Sequence, residues 1–152
     1  MKLDLKKKLS ENFTLEELVA SDTAKKVGID NTPTLLAINH LEELCQNLLQ
    51  PIREAYGRPI KVTSGFRCYR LNRYLGGSPT SAHPLGWAAD LKPVSGSYAD
   101  FEKFVVEFLK KSDLKWDQVI RESSNGGKTK WLHLGYKNGA GRQRRQIFDI
   151  NV

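Results

Sequence analysis

Three residues have types and spacing suited to metal chemistry: His83, Asp90 and His133. His83 lies in a segment rich in Ser, Pro and Gly, which predicts an ordered loop. Asp90 follows seven residues later in a strand-like run, where Ala88 and Ala89 leave room beside the carboxylate. Two imidazoles and one carboxylate form a familiar catalytic zinc set, in which the fourth position is left for water.

His133 lies in the alternating segment Trp131-Leu132-His133-Leu134. Successive side chains of a strand point to opposite faces, so His133 faces a groove if Leu132 and Leu134 face the core. A single histidine is more often a surface or hydrogen-bonded residue than a ligand, and we interpret His40, on a long helix, in this way. The combined pattern around His83 and His133 favours a metal site instead.

The elements that must position these residues change in type along the chain. Thr14 with Glu17 predicts a capping box at the start of a first helix. A second helix is predicted from Thr32-Pro33, with a kink at Pro51. Further elements are predicted in this order: a strand over 59–64, a helix over 69–75, a strand over 87–92, a helix capped by Ser97, and strands over 118–122 and 130–136. Helices precede most strands, so we expect an α+β domain with a small antiparallel sheet.

The pattern Ser81-x-His83-x-x-Gly86-x-Ala88-x-Asp90, followed by Trp131-x-His133, resembles the signature of the zinc D-Ala-D-Ala carboxypeptidase family of metallopeptidases. The resemblance extends through Ser64-Gly65-Phe66-Arg67 and, more loosely, through the N-terminal helices, so it covers most of the chain. It implies a Hedgehog/D-Ala-D-Ala peptidase-like fold with one zinc ion held by His83, Asp90 and His133. The family hydrolyses peptide bonds in bacterial peptidoglycan, as carboxypeptidases or endopeptidases, and includes bacteriophage endolysins.

The same resemblance implies roles for three further residues. Arg67 matches a family arginine that contacts the substrate or its transition state, where a guanidinium makes charge-assisted hydrogen bonds. Ser81 would orient His83 or the substrate, or it would only cap the loop. Trp87 would wall the substrate groove, or it would only pack.

The chain departs from the family pattern at the general base. Many members carry Glu or Asp three residues before the last histidine, where this chain has Lys130. Glu122, on the preceding strand, is the predicted substitute, and Asp117 is a less favoured one. A site without a base would be weakly active or inactive, so a non-catalytic, metal-containing cell-wall-binding module is the alternative function.

The turn between the last two predicted strands decides whether Glu122 can serve. A two-residue Asn125-Gly126 turn is the strongest short hairpin signal, but it leaves Glu122 about 13 Å from His133, at roughly 3.3 Å per residue. A longer loop that includes Lys128 places Glu122 opposite Trp131, within reach of the metal face.

Composition and charge limit the remaining possibilities. With 152 residues, 39% of them hydrophobic, the chain suits a single domain over 1–152, with 1–10 and 140–152 as peripheral tails. Two cysteines, Cys45 and Cys68, are too few for a disulfide framework, and we expect both thiols to be free. We expect a monomer.

A net charge of +7 predicts attraction to an anionic partner. The basic runs 6–8 and 142–145 lack interleaved aromatic residues, so we interpret them as solvated surface and expect no specific nucleic acid. No apolar stretch is long enough for a membrane span, and polar residues stand where a signal peptide would be apolar. We therefore expect a cytoplasmic protein that reaches the cell wall, its partner by resemblance, at lysis.

Overall fold

A five-stranded mixed sheet organises the fold in the computed structural model, which describes residues 2–152. The strands are Lys8–Ser10 (β1), Phe13–Thr14 (β2), Ile60–Ser64 (β3), Ala88–Pro93 (β4), Gln118–Ser124 (β5), Thr129–Gly135 (β6) and Gln146–Asn151 (β7). The helices are Leu15–Val19 (α1), Asp22–Val27 (α2), Leu35–Leu44 (α3), Gln50–Tyr56 (α4), Tyr69–Tyr74 (α5) and Tyr98–Lys111 (α6). This single α+β domain confirms the predicted fold class.

The sheet has the strand order β3-β4-β6-β5-β7. Neighbouring strands are antiparallel from β3 to β5, as predicted, but β7 lies parallel to β5. The segment 140–152, expected as a peripheral tail, therefore contributes an edge strand. Of the other expected tail, 1–10, Met1 lies outside the described residues, and residues 8–10 are more than a tail, because β1 pairs with β2 and Leu9 is only 1% exposed.

The helix starts follow local hydrogen-bonding chemistry. The predicted capping box at α1 is confirmed, because Thr14 and Glu17 cap each other reciprocally. The helix predicted to start at Thr32-Pro33 is α3, and its predicted start is wrong by two residues. Thr34 is the N-cap and accepts a hydrogen bond from the backbone N–H of Ala37, whereas the Thr32 hydroxyl bonds to Asp30 instead.

The kink expected at Pro51 takes the form of a π-helical turn over Cys45–Leu49, which joins α3 to α4. Proline lacks an N–H and its ring crowds the preceding helical turn, and one wider turn accommodates both effects. Leu48 and Leu49 are fully buried in this turn, as is the free thiol of Cys45.

The hydrophobic core lies between the helices and one face of the sheet. Its fully buried members include Leu41, Leu44, Phe101, Val105, Leu109, Val119, Leu132 and Leu134. Phe104 of α6 lies at the margin of this core, because it is 37% exposed. The opposite face of the sheet lies outside this core. Within residues 2–152, no helix is both long enough and apolar enough to span a bilayer.

Gly86 allows the loop before β4 to lie against α3. Its φ is +79°, and an added Cβ would lie 2.5 Å from the carbonyl oxygen of Ala37. Gly141 has a similar φ of +76° but open space around the Cβ position.

We expect Gly86→Ala to lower the free energy of unfolding by about 2–5 kcal/mol, because left-handed strain and overpacking add. Gly141→Ala should lose only the strain, about 1–2 kcal/mol. Urea denaturation of both variants measures the difference. Equal losses would mean that the contact with α3 is unimportant.

Candidate metal centre

His83, Asp90 and His133 come together on the sheet face opposite the core. Asp90 on β4 lies directly across from His133 on β6 in the strand register. His83 begins a short 3-10 turn over His83–Leu85, which is part of the loop that precedes β4. All three side chains are buried, with exposed fractions of 3%, 4% and 8% for His83, Asp90 and His133.

The donor atoms of this cluster are spaced as metal ligands would be. Asp90 Oδ1 lies 3.1 Å from His133 Nδ1 and 3.3 Å from His83 Nε2, and the ligand atoms of the three residues all lie within 4.8 Å of one another. Ligands at tetrahedral corners about 2.0–2.2 Å from a zinc ion are themselves about 3.3–3.6 Å apart. The two histidines and the aspartate therefore fit a single zinc ion.

Gly65 sets the orientation of the His83 ring. The Nδ1–H of His83 donates to the Gly65 carbonyl at 2.6 Å, which leaves Nε2 as the atom free to bind a metal. Gly65 itself lies tightly against α1, since an added Cβ would be 2.3 Å from the Leu18 carbonyl oxygen. That carbonyl accepts from the N–H of Phe66 at 2.7 Å, so the segment after β3 is held in place.

Arg67 binds the cluster directly. Its Nη2 donates to Asp90 Oδ2 at 3.1 Å, its Nε to Ser64 Oγ at 2.9 Å and its Nη1 to Asn72 Oδ1 at 3.2 Å. The side chain is 16% exposed and lines the cleft above the cluster. Arg67 therefore orients the aspartate and presents positive charge to the cleft.

The electrostatics of the cluster keep the aspartate ionised and the first histidine neutral. Burial by itself raises the pKa of Asp90, but the adjacent His83 and His133 outweigh it and hold that pKa well below its usual range. Burial lowers the pKa of His83 despite the attraction of Asp90. Neutral imidazole and carboxylate are the protonation states that ligate metals.

Glu122 lies beside the cluster because the hairpin loop is the longer of the two alternatives. Glu122 pairs with Trp131 in the register, so the two-residue turn is wrong. Glu122 Oε2 lies 4.0 Å from His133 Nδ1 and accepts a hydrogen bond from Trp131 Nε1 at 2.8 Å. Burial and the nearby Asp90 charge raise the pKa of Glu122.

Asp117 lines the same cleft but its carboxylate is already engaged. It is 2% exposed and accepts from Arg144 Nε at 2.8 Å, from Arg144 Nη2 at 2.9 Å and from the Arg144 backbone N–H at 3.0 Å. Arg145 lies over Trp116, at 5.0 Å from the ring centroid. Arg144 and Arg145 are exposed, as the interpretation of 142–145 as solvated surface predicts, but their guanidinium groups also contact Asp117 and Trp116. Lys130 is exposed.

A cleft of about 350 Å³ opens above the cluster. Ser81 lines it and accepts a hydrogen bond from the His83 N–H at 3.2 Å, which fixes the loop. Trp87 is not among the lining residues. It is 7% exposed and stacks on His40 with ring centroids 3.8 Å apart, so the packing alternative describes it better than a groove wall.

Several residues of the site were not found by sequence reasoning. They are Asn72, which holds Arg67, Trp131 as the donor to Glu122, and the cleft-lining residues Ile120, Arg144, Phe148 and Ile150. The segment Gln146–Asn151 contains Ile147, Phe148 and Ile150, residue types that favour strands, and this composition could have revealed β7. A signal for Asn72 is absent from the sequence.

A buried two-histidine, one-aspartate cluster with a second carboxylate beside it is the arrangement of a metal-dependent hydrolase. The family model described as Peptidase M15 matches residues 11–134, which include the cluster, Arg67 and Glu122. The chain belongs to the peptidase M15 family, which confirms the resemblance seen in the sequence and supports a zinc-dependent peptidase. A search of curated proteins found no match.

Removing the Arg144 side chain should leave the buried Asp117 carboxylate short of two hydrogen bonds. We expect Arg144→Ala to lower the free energy of unfolding by about 1–3 kcal/mol. Arg142→Ala, at an exposed position of the same basic run, should change it by no more than about 0.5 kcal/mol. Chemical denaturation distinguishes the two, and equal effects would show that the Asp117 pairing is not stabilising.

Proposed function

We propose that this chain hydrolyses peptide bonds in peptidoglycan stem peptides or cross-links, with one zinc ion held by His83, Asp90 and His133. The observation that carries the proposal is the spacing of 3.1 and 3.3 Å between Asp90 Oδ1 and the two imidazole nitrogens, in a buried cluster below a cleft.

A bacterial wall substrate is supported by the family match and by the loop motif. The net charge of +7 favours approach to an anionic wall polymer. The same resemblance supports an endolysin-type role, in which the protein stays in the cytoplasm and acts as a monomer on the wall at lysis.

A bound zinc ion would supply Lewis acidity, which polarises a scissile carbonyl and activates water. His83 offers Nε2 to it because Nδ1 is committed to the Gly65 carbonyl. Glu122 is the proposed general base, and it is anchored by Trp131 beside the cluster. Its role is to accept a proton from the attacking water and return it to the leaving amine, and a raised pKa makes it a stronger base.

Arg67 is the proposed electrostatic partner of the developing oxyanion. Its guanidinium already binds Asp90 Oδ2 and lines the cleft, so its charge is positioned before substrate binds. Ser81 supports the site by holding the His83 backbone N–H, and it borders the space a peptide would fill.

The first test replaces the proposed base. We expect Glu122→Gln to reduce kcat on purified muropeptides by about 10²–10⁴-fold, because an amide cannot accept the proton, while zinc content stays unchanged. Chromatography of the products and elemental analysis of the protein give the two readouts. Lys130→Ala is the matched control, and we expect full activity because Lys130 is exposed.

The outcomes separate the enzyme from the wall-binding module. Loss of turnover in Glu122→Gln but not in Lys130→Ala supports the peptidase. If the zinc-loaded natural chain cleaves no muropeptide but binds purified sacculi, and Glu122→Gln binds them equally, the non-catalytic module is supported instead.

The second test concerns the metal itself. We expect the natural chain to bind one zinc ion, and His133→Ala to lose most of the affinity, because two ligands remain of the three. Lys130→Ala is the control, since Lys130 is an exposed residue of the same strand as His133. Calorimetric titration of chelator-treated protein measures both. Equal zinc binding by the two variants would contradict the ligand assignment.

A further inference from the structure

Two large apolar side chains of β7 remain substantially exposed on the site face of the sheet. Phe148 is 36% exposed and Ile150 is 38% exposed, and both line the cleft above the metal cluster. In the register with β5, Phe148 lies beside Ile120 and Ile150 lies beside Glu122. We name Ile120, Phe148 and Ile150 the apolar shelf.

The apolar shelf is built on an anchored strand. Besides the parallel pairing with β5, β7 is held by side-chain hydrogen bonds or ion pairs at three register positions: Gln118–Gln146 at 3.0 Å, Arg121–Asp149 at 2.9 Å and Ser123–Asn151 at 2.6 Å. The Arg144 pairing with Asp117 fixes the segment just before β7. A preorganised surface of this kind loses little conformational entropy when a ligand binds to it.

The opposite side of the cleft has different chemistry. It is formed by the loop before β4, whose lining residues are small or polar: Gly77, Ser78, Thr80, Ser81 and Ala82. Glu122 and His133 also line the cleft, and Ile150 is the direct register partner of Glu122. A peptide in this cleft would have polar groups for its backbone on one side and an apolar surface on the other, beside the proposed base.

Exposed apolar side chains that converge on a cleft with a few polar groups are typical of ligand recognition. Phe148 and Ile150 also lie outside residues 11–134, the part of the chain that the family model matches. Of the three residues of the apolar shelf, only Ile120 lies within the matched part of the chain.

We infer that the apolar shelf is a specificity subsite, which selects an uncharged alkyl side chain on the substrate residue next to the scissile bond. This inference rests on the proposed peptidase function. An alkyl group would cover Phe148 and Ile150 and remove apolar surface from water. A charged side chain seated on this apolar surface would lose hydration, so the subsite discriminates against it.

The test uses peptides that are identical except at the residue beside the scissile bond, which is Ala, Val, Lys or Glu. We expect the zinc-loaded natural chain to prefer the alkyl peptides in kcat/KM by about 10-fold or more, a discrimination typical of one apolar pocket contact. Phe148→Ser should reduce this preference towards unity, and Phe148→Leu should restore most of it. Val152→Ser is the control, because Val152 is 79% exposed and does not line the cleft.

A binding measurement separates this inference from the proposed function. Calorimetry with zinc-loaded Glu122→Gln and the same peptides reports the alkyl preference without turnover, and adding Phe148→Ser should remove it. If the natural chain cleaves nothing but this preference in affinity is seen, the subsite stands and the peptidase proposal fails. If cleavage occurs and Phe148→Ser leaves the preference unchanged, or if no peptide binds or is cleaved, the subsite is wrong. Thermal melting of Phe148→Ser confirms that the variant is folded.

Discussion

The structure depends on one buried carboxylate. Asp90 is 4% exposed, and both of its oxygens are engaged, with the two histidines at Oδ1 and Arg67 at Oδ2. A buried charge is costly unless it is paired, so the partners of Asp90 cannot move independently of it. Those partners come from the segment after β3, the loop before β4, and β6. The single ionised group therefore sets the relative positions of the parts that surround the cleft.

The sequence was informative where the rules are local. Strand alternation places His133 opposite Leu132 and Leu134, and a hydroxyl followed three residues later by Glu marks the start of α1. The hairpin register was not decidable in this way, because two loop lengths satisfy the same residues. Gly126 and Gly127 both adopt positive φ, which makes the longer loop and brings Glu122 opposite Trp131. An acid on the neighbouring strand thus lies beside His133, although Lys130 stands at the usual acid position on β6.

Non-local contacts explain what the sequence did not reveal. The basic run before β7 has the composition of a solvated segment, yet Asp117 and Trp116 draw Arg144 and Arg145 onto the domain. The position of Trp87 has the same cause, since its stacking partner His40 is remote from it in the sequence. Trp87 stacks on His40, which also contacts the Leu85 carbonyl, so the packing of α3 supports the loop that carries His83.

The position of β7 at the edge of the sheet has an evolutionary consequence. Its inner neighbour is β5, while the cluster of His83, Asp90 and His133 is built on β4, β6 and the loop before β4. Side chains on its site face can therefore be exchanged without disturbing the residues around Asp90. A lineage could change the apolar surface beside the cleft through a few substitutions in β7, while the residues around Asp90 stay under separate selection.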